Sequence, residues 1–172
     1  GKIIKCEKCG NGAFINEYFD FIPFDDKCVI PESPVKWMEY ERMDIIKKIR
    51  EETNFVFAEN VKIGYLPKDH YIKNHKTGEE CGEGVLKVDH DGVHFVGTKH
   101  DEPYTFNITY KNIYTVNNPV DMSYFAIYVN GEYIEFHPER PSSSLIMILI
   151  EEMHRLHVND WKAFPWWKYM YE

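Results

Sequence analysis

The segment from Glu83 to His157 constrains this chain most, because a run of short alternating strands passes directly into one strongly apolar helix. Gly84 to Gly97 (Gly-Val-Leu-Lys-Val-Asp-His-Asp-Gly-Val-His-Phe-Val-Gly) predicts two strands joined at Asp91-Gly92, since Asp-Gly between alternating apolar residues suits a tight turn with positive φ. Tyr124–Val129 and Glu132–Phe136 flank Asn130-Gly131 and predict a second hairpin, with Phe125, Ile127 and Val129 on one face and Ile134 and Phe136 on one face of the partner. Tyr104 to Val116 adds one or two strands between them. The period then changes. Pro141-Ser-Ser-Ser144 offers N-caps, and Leu145–Ile150 with Met153 and Leu156 forms a helix that is apolar over more than half its circumference.

A helix that apolar must be covered, and consecutive antiparallel strands need a partner for their inner face. The expected fold class is therefore α+β: a strongly bent antiparallel sheet or open barrel capped by a C-terminal helix, with an N-terminal hairpin and one amphipathic helix added. This order of elements resembles the pleckstrin-homology-like and GRAM-like superfold, which hosts lipid binding, peptide binding and scaffolding, so fold alone does not fix function.

Lys plus Arg number 20 against 28 Asp plus Glu, a formal net charge of -8. That is the wrong sign for a general nucleic-acid binder, whose affinity comes from cations displacing counterions. No apolar run approaches a membrane span and no signal-peptide pattern is present. Four cysteines, two of them in C-x-x-C, point to a reducing compartment with metal binding or free thiols. Gly1 has no Met before it, and the chain is expected to begin within a longer protein.

Cys6-Glu-Lys-Cys9-Gly10 has the form of a zinc knuckle: two thiolates three apart grip one ion, and the glycine lets the backbone turn its amides toward sulfur. A closed site needs four ligands, and no second knuckle is present. Cys6 and Cys9 thus read either as the latter half of a zinc ribbon begun upstream, in which case Zn belongs to the parent protein, or as two free reduced thiols. Phe14 to Val29, with Phe14, Tyr18, Phe19, Phe21 and Phe24, is expected to pack on the body; its carboxylates match no calcium loop. Ser33-Pro34 starts a helix that should run to about Glu52, with Val35, Met38, Arg42, Ile45, Ile46 and Ile49 on one stripe. Arg42 either lays its stem along apolar surface or pairs with a carboxylate. Residues 54–58 and 61–66 read as two strands. Pro67 to Gly82 then forms the longest loop, where His70, His75 and Cys81 are candidate metal ligands at spacings that match no standard site.

After the last helix comes an aromatic tail with Trp161, Phe164, Trp166, Trp167, Tyr169 and Tyr171. It either folds back over the body or serves as a membrane or partner contact, since Trp and Tyr beside Lys suit a headgroup layer. Catalytic motifs are absent: there is no G-x-S-x-G, glycine-rich phosphate loop or H-E-x-x-H. His75 and Glu80 have a His-then-carboxylate spacing known from acyltransferases, but with Glu for Asp and in a polar loop. His90, His100 and His137 read as turn or surface residues, and His154 with His157 as a solvated helix edge.

The knuckle Cys6–Gly10, then Pro34-Val-Lys-Trp37-Met-Glu-Tyr40-Glu-Arg42 opening a helix, then Gly82-Glu-Gly84-Val-Leu with Asp91-Gly92-Val-His-Phe-Val-Gly97, resembles the non-catalytic C-terminal region of bacterial 1-acyl-sn-glycerol-3-phosphate acyltransferase-like proteins. In that family a His-x4-Asp motif in an upstream domain carries acylation. No His here has Asp five positions later, so no catalytic residue is carried over. The resemblance implies a cytoplasmic, membrane-peripheral parent in phospholipid biosynthesis, with the upstream catalytic domain of the same polypeptide, and in addition a membrane surface, as partners. The expected organisation is a partial ribbon and aromatic linker (1–30), an amphipathic helix (31–53), a PH/GRAM-like domain (54–158) and the tail (159–172). The expected function is a non-catalytic accessory or regulatory module. The rivals are a metal-dependent or catalytic domain using the 67–82 loop, and an interaction module with no lipid connection.

Overall fold

The computed structural model describes residues 2–66 and 78–158. His70 and His75 in the long loop, and Trp161, Phe164, Trp166, Trp167 and Tyr169 in the tail, lie outside the described residues. The chain divides into two compact units, Gly1–Lys47 and Lys48–Glu172.

In the first unit, β1 (Lys2–Lys5), β2 (Gly12–Ile15) and β3 (Phe21–Pro23) form a small antiparallel sheet in that order. Most of α1 (Pro34–Glu51) follows. Ser33 caps α1 as expected: its Oγ accepts the Lys36 N–H at 3.3 Å and its carbonyl accepts the Trp37 N–H at 3.0 Å, while Pro34 takes a first-turn position that lacks a partner anyway. The apolar stripe is shorter than its spacing implies. Arg42, Ile45, Ile46 and Ile49 are buried, whereas Val35 and Met38 in the first two turns are exposed. The aromatic segment also departs from expectation, because Phe21 is buried but Phe14, Tyr18 and Phe19 face solvent.

The second unit holds β4 (Val56–Tyr65), β5 (Glu79–Asp89), β6 (Gly92–Lys99), β7 (Glu102–Ile108), a single 3-10 turn at Tyr110–Asn112, β8 (Phe125–Val129), β9 (Glu132–Pro138) and α2 (Ser143–Val158). The sheet is antiparallel throughout, in the order β7-β6-β5-β4-β9-β8. Where two strands were expected over 54–66 there is one. Glu59, which reads as a break, falls in phase with Val61 and Ile63 and is buried like them, so the alternation runs straight through a charged residue. Cys81 likewise lies in β5, not in the preceding loop, because pairing with β4 already begins at Tyr65 and Glu79.

The sheet curls into a half-barrel. Three strands separate β7 from β9, yet the Phe106 and Phe136 rings lie 6.1 Å apart, with Phe95 at 5.7 Å from Phe106 and Phe125 at 5.1 Å from Phe136. Sharp coiling is permitted at the cross-strand pair Gly84 and Gly97, over which Phe95 is laid. A Cβ on Gly84 would stand 2.4 Å from the Val96 carbonyl oxygen, and one on Gly97 would stand 2.2 Å from that of Glu83. Asn130-Gly131 makes the expected turn, both residues with positive φ. The β5–β6 turn is shifted by one residue: Asp89 pairs with Gly92, so His90 and Asp91 form the loop. Asp89 causes the shift by accepting the N–H groups of Asp91 and Gly92.

Helix α2 begins as expected among the serines, with the Ser142 carbonyl accepting the Ile146 N–H at 2.9 Å. It packs on β5, β8 and the 3-10 turn, burying Ile146, Met147, Ile148, Leu149, Ile150 and Met153. At roughly 1.5–3 kcal/mol for each fully buried side chain, this stripe is a main source of cohesion. Leu156 is partly exposed at its end. The expected α+β architecture, a bent antiparallel sheet closed by a C-terminal helix, is the one observed. No described helix is long and apolar enough to cross a membrane.

Candidate functional site

The knuckle in the first unit has the local geometry its sequence calls for. The Gly10 N–H donates to the Cys6 carbonyl at 2.9 Å, the Cys6 N–H donates to the Asn11 carbonyl at 2.7 Å, and Gly10 adopts φ +77°. The Cys6 thiol is held below its ordinary pKa by the Cys9 backbone N–H, then by the Cys9 thiol and the Lys8 N–H. Amides aimed at sulfur stabilise thiolate, the form that binds metal. Cys6 and Cys9 are exposed free thiols, two where a closed zinc site needs four ligands. No group of three or more His, Cys, Asp or Glu side chains among the described residues is placed to hold an ion.

In the second unit polar chemistry concentrates around the β5–β6 turn. Asp89 is buried, which opposes its charge, but hydrogen bonds from Lys87, His94 and the Asp91 N–H outweigh burial and hold it at about 2. Its Oδ1 lies 2.9 Å from His94 Nε2, and His94 Nδ1 lies 2.6 Å from Asn107 Oδ1. An Asp–His pair invites a catalytic reading. Here both ring nitrogens are engaged, so neither is left to take a proton from a substrate. Tyr110, buried with its pKa raised by that burial, donates its hydroxyl to the Asp89 and Gly92 carbonyl oxygens and fastens the turn.

Beside this lies a second chain of contacts. His90 Nε2 meets the Glu52 carbonyl at 2.9 Å, His90 Nδ1 meets His157 Nε2 at 3.0 Å, and the His157 ring stacks on Tyr110. The pair borders a groove of about 340 Å³ with Ile49, Arg50, Thr53 and Leu156. His90 lies in the turn as expected and His157 is exposed as expected, though each contacts the other across the fold, whereas His154, expected on a solvated edge, is buried.

Two further carboxylates escaped the sequence reading. Glu59 takes Arg140 Nε at 2.8 and 3.1 Å on its two oxygens, a further contact from the Arg140 terminal nitrogen, and the Ser142 hydroxyl at 3.4 Å. Glu135 is buried on β9, where Oε2 accepts the Gly78 N–H at 2.7 Å and lies 3.3 Å from His137 Nε2. Cys81 borders a cleft of about 370 Å³ with Glu80, Glu83, Thr98, His100 and Asp101, and burial raises its thiol pKa, which makes it a poor nucleophile. Glu59 on β4 and Asp89 at the end of β5 are both buried, and each is held by a cation or imidazole from another segment, Arg140 and His94. No family model matches this chain, and no curated protein is significantly similar to it.

Proposed function

We propose that this chain is a non-catalytic accessory module that works through surface contacts, with the C-terminal region of a bacterial acyltransferase-like protein as its parent context. The observation that carries this reading is the filled interior of the half-barrel. Phe95, Phe125, Phe136, Leu86, Ile127 and Ile134 are all about fully buried, and α2 lies against the open side, so a ligand meets this fold at its outside. The engagement of both His94 nitrogens supports the same view, since the most enzyme-like pair is spent on holding a turn. In the first unit Phe14, Tyr18, Phe19 and Ile22 are exposed together on and beside a three-stranded sheet, chemistry suited to a lipid headgroup layer or a partner protein. By sequence alone, Trp161, Phe164, Trp166, Trp167 and Tyr169 are further candidates for a contact of this chemistry. In this reading the chain acts at the cytoplasmic membrane face, peripherally, beside the catalytic domain it serves. With a net charge of -8 the contact is apolar and interfacial, not an attraction to anionic lipid.

Co-sedimentation with phosphatidylcholine vesicles, with and without residues 159–172, tests the proposal. Binding that survives high salt and falls when the tail is removed supports it; absence of binding to zwitterionic and anionic vesicles alike refutes the membrane role and leaves a protein-interaction module.

A further inference from the structure

The paired imidazoles of His90 and His157 have a second use besides holding each other. We infer that they form an open two-histidine site for a divalent transition metal, with Zn²⁺ as the reference ion, at the groove where the ends of α1 and α2 meet the β5–β6 turn. His90 supplies the clearest sign. Its Nε2 meets the Glu52 carbonyl at 2.9 Å, and a carbonyl only accepts, so the ring proton sits on Nε2 and Nδ1 is left with a lone pair. Donation of one ring N–H to a backbone carbonyl is the outer contact that orients metal-binding histidines and raises their basicity. The freed Nδ1 faces His157 Nε2 at 3.0 Å. Two nitrogens bound to one tetrahedral zinc at 2.0–2.1 Å stand about 3.3 Å apart, so an opening of about 0.3 Å admits the ion.

For this, His157 carries its proton on Nδ1 instead of Nε2, a change of tautomer that neither adds nor releases a proton. The negative ends of the dipoles of α1 and α2, which both end here, favour a cation. Arg50, lining the groove, is the opposing charge. The groove of about 340 Å³ beside the pair leaves room for water as the remaining ligands. The site is therefore of the open type, distinct from the thiolate pair at Cys6 and Cys9, and imidazole ligands of this kind suit Zn²⁺, Ni²⁺ and Cu²⁺.

The experiment uses the full chain carrying Cys6→Ser and Cys9→Ser, to remove the thiolate pair, and Zn²⁺ alone as the probe. In long-range ¹H–¹⁵N spectra of the histidine rings, Zn²⁺ is expected to move His90 Nδ1 and His157 Nε2 while the His90 Nε2–H signal persists. Calorimetric affinity is expected to fall at least tenfold in His90→Ala and in His157→Ala, and to be unchanged in His154→Ala. Unmoved ring signals at His90 and His157, or Zn²⁺ shifts confined to other histidines, overturn the inference without reference to any variant's folding.

Discussion

Arginine 140 is the most informative single residue to remove. Its guanidinium grips both oxygens of Glu59, whose side chain is 4% exposed, while the Arg140 side chain is 68% exposed. Breaking a fully buried pair by deleting one partner costs about 3–5 kcal/mol. In Arg140→Ala, water enters where the guanidinium lay and the Ser142 hydroxyl remains at 3.4 Å, so the expected cost is about 2 kcal/mol. For a chain of this length that corresponds to a Tm lower by about 4–8 °C. Glu59→Gln keeps the shape and removes the charge, so Glu59→Gln with Arg140→Ala should be no worse than Arg140→Ala alone. The two changes should be coupled by at least about 1 kcal/mol. Urea unfolding followed by circular dichroism measures all four corners of this cycle. Because Glu59 is buried, the coupling should persist at about 0.5 M NaCl, where exposed pairs fade. An additive cycle, or a cost below about 0.5 kcal/mol for Arg140→Ala, would refute the idea that β4 tolerates an inward carboxylate only because Arg140 reaches it.

The remaining expectations are more local. Phe136→Ala, at a fully buried position touching Phe95, Phe106 and Phe125, should cost about 3–5 kcal/mol in the same unfolding assay. Gly84→Ala should destabilise the half-barrel, because its Cβ would press against the Val96 carbonyl oxygen; protection of β5 and β6 amides from hydrogen exchange should drop. Tyr133 is pushed up to about 12, by burial first and then by the charges of Tyr124, Glu135 and Tyr128. A raised phenol pKa means that its contribution to stability is complete below about 10 and is lost as pH rises toward 12; a comparison with Tyr133→Phe in alkaline unfolding reads that difference directly. Replacing Cys6 with Ser should remove the fast, thiolate-like component of alkylation at the knuckle, leaving the exposed Cys9 still reactive and Cys81, raised by burial, as slow as before.

What could be read from sequence was what is decided within a few residues. The Ser33 cap and the Asn130-Gly131 turn depend on immediate neighbours, and so does the Cys6–Gly10 knuckle. The cap and the hairpin turn stand as expected, and Cys6–Gly10 makes the tight backbone turn its glycine permits. The β5–β6 turn was misplaced by one position because Asp-Gly is a strong turn signal at Asp91, while the side chain that fixes the turn belongs to Asp89. Glu59 looked like the end of a strand because the partner that makes it tolerable inside, Arg140, lies 81 positions later. His90 and His157 are 67 positions apart, and nothing near either residue signals the other. Alternation reports which face a residue occupies. It does not report which charged residue is neutralised there, since that depends on where distant segments arrive.

The junction of β4 with β9 sets the order in which this protein can be born. Val61 lies against Pro138 and Ile63 against Phe136, so the middle of the half-barrel cannot close until almost the whole domain has left the ribosome. Until then β4 to β7 form a meander with one apolar face open, held only by neighbours in the chain. Topologies dominated by such distant pairings fold slowly, and the aromatic lining gives this one a period of vulnerability to association with other nascent chains.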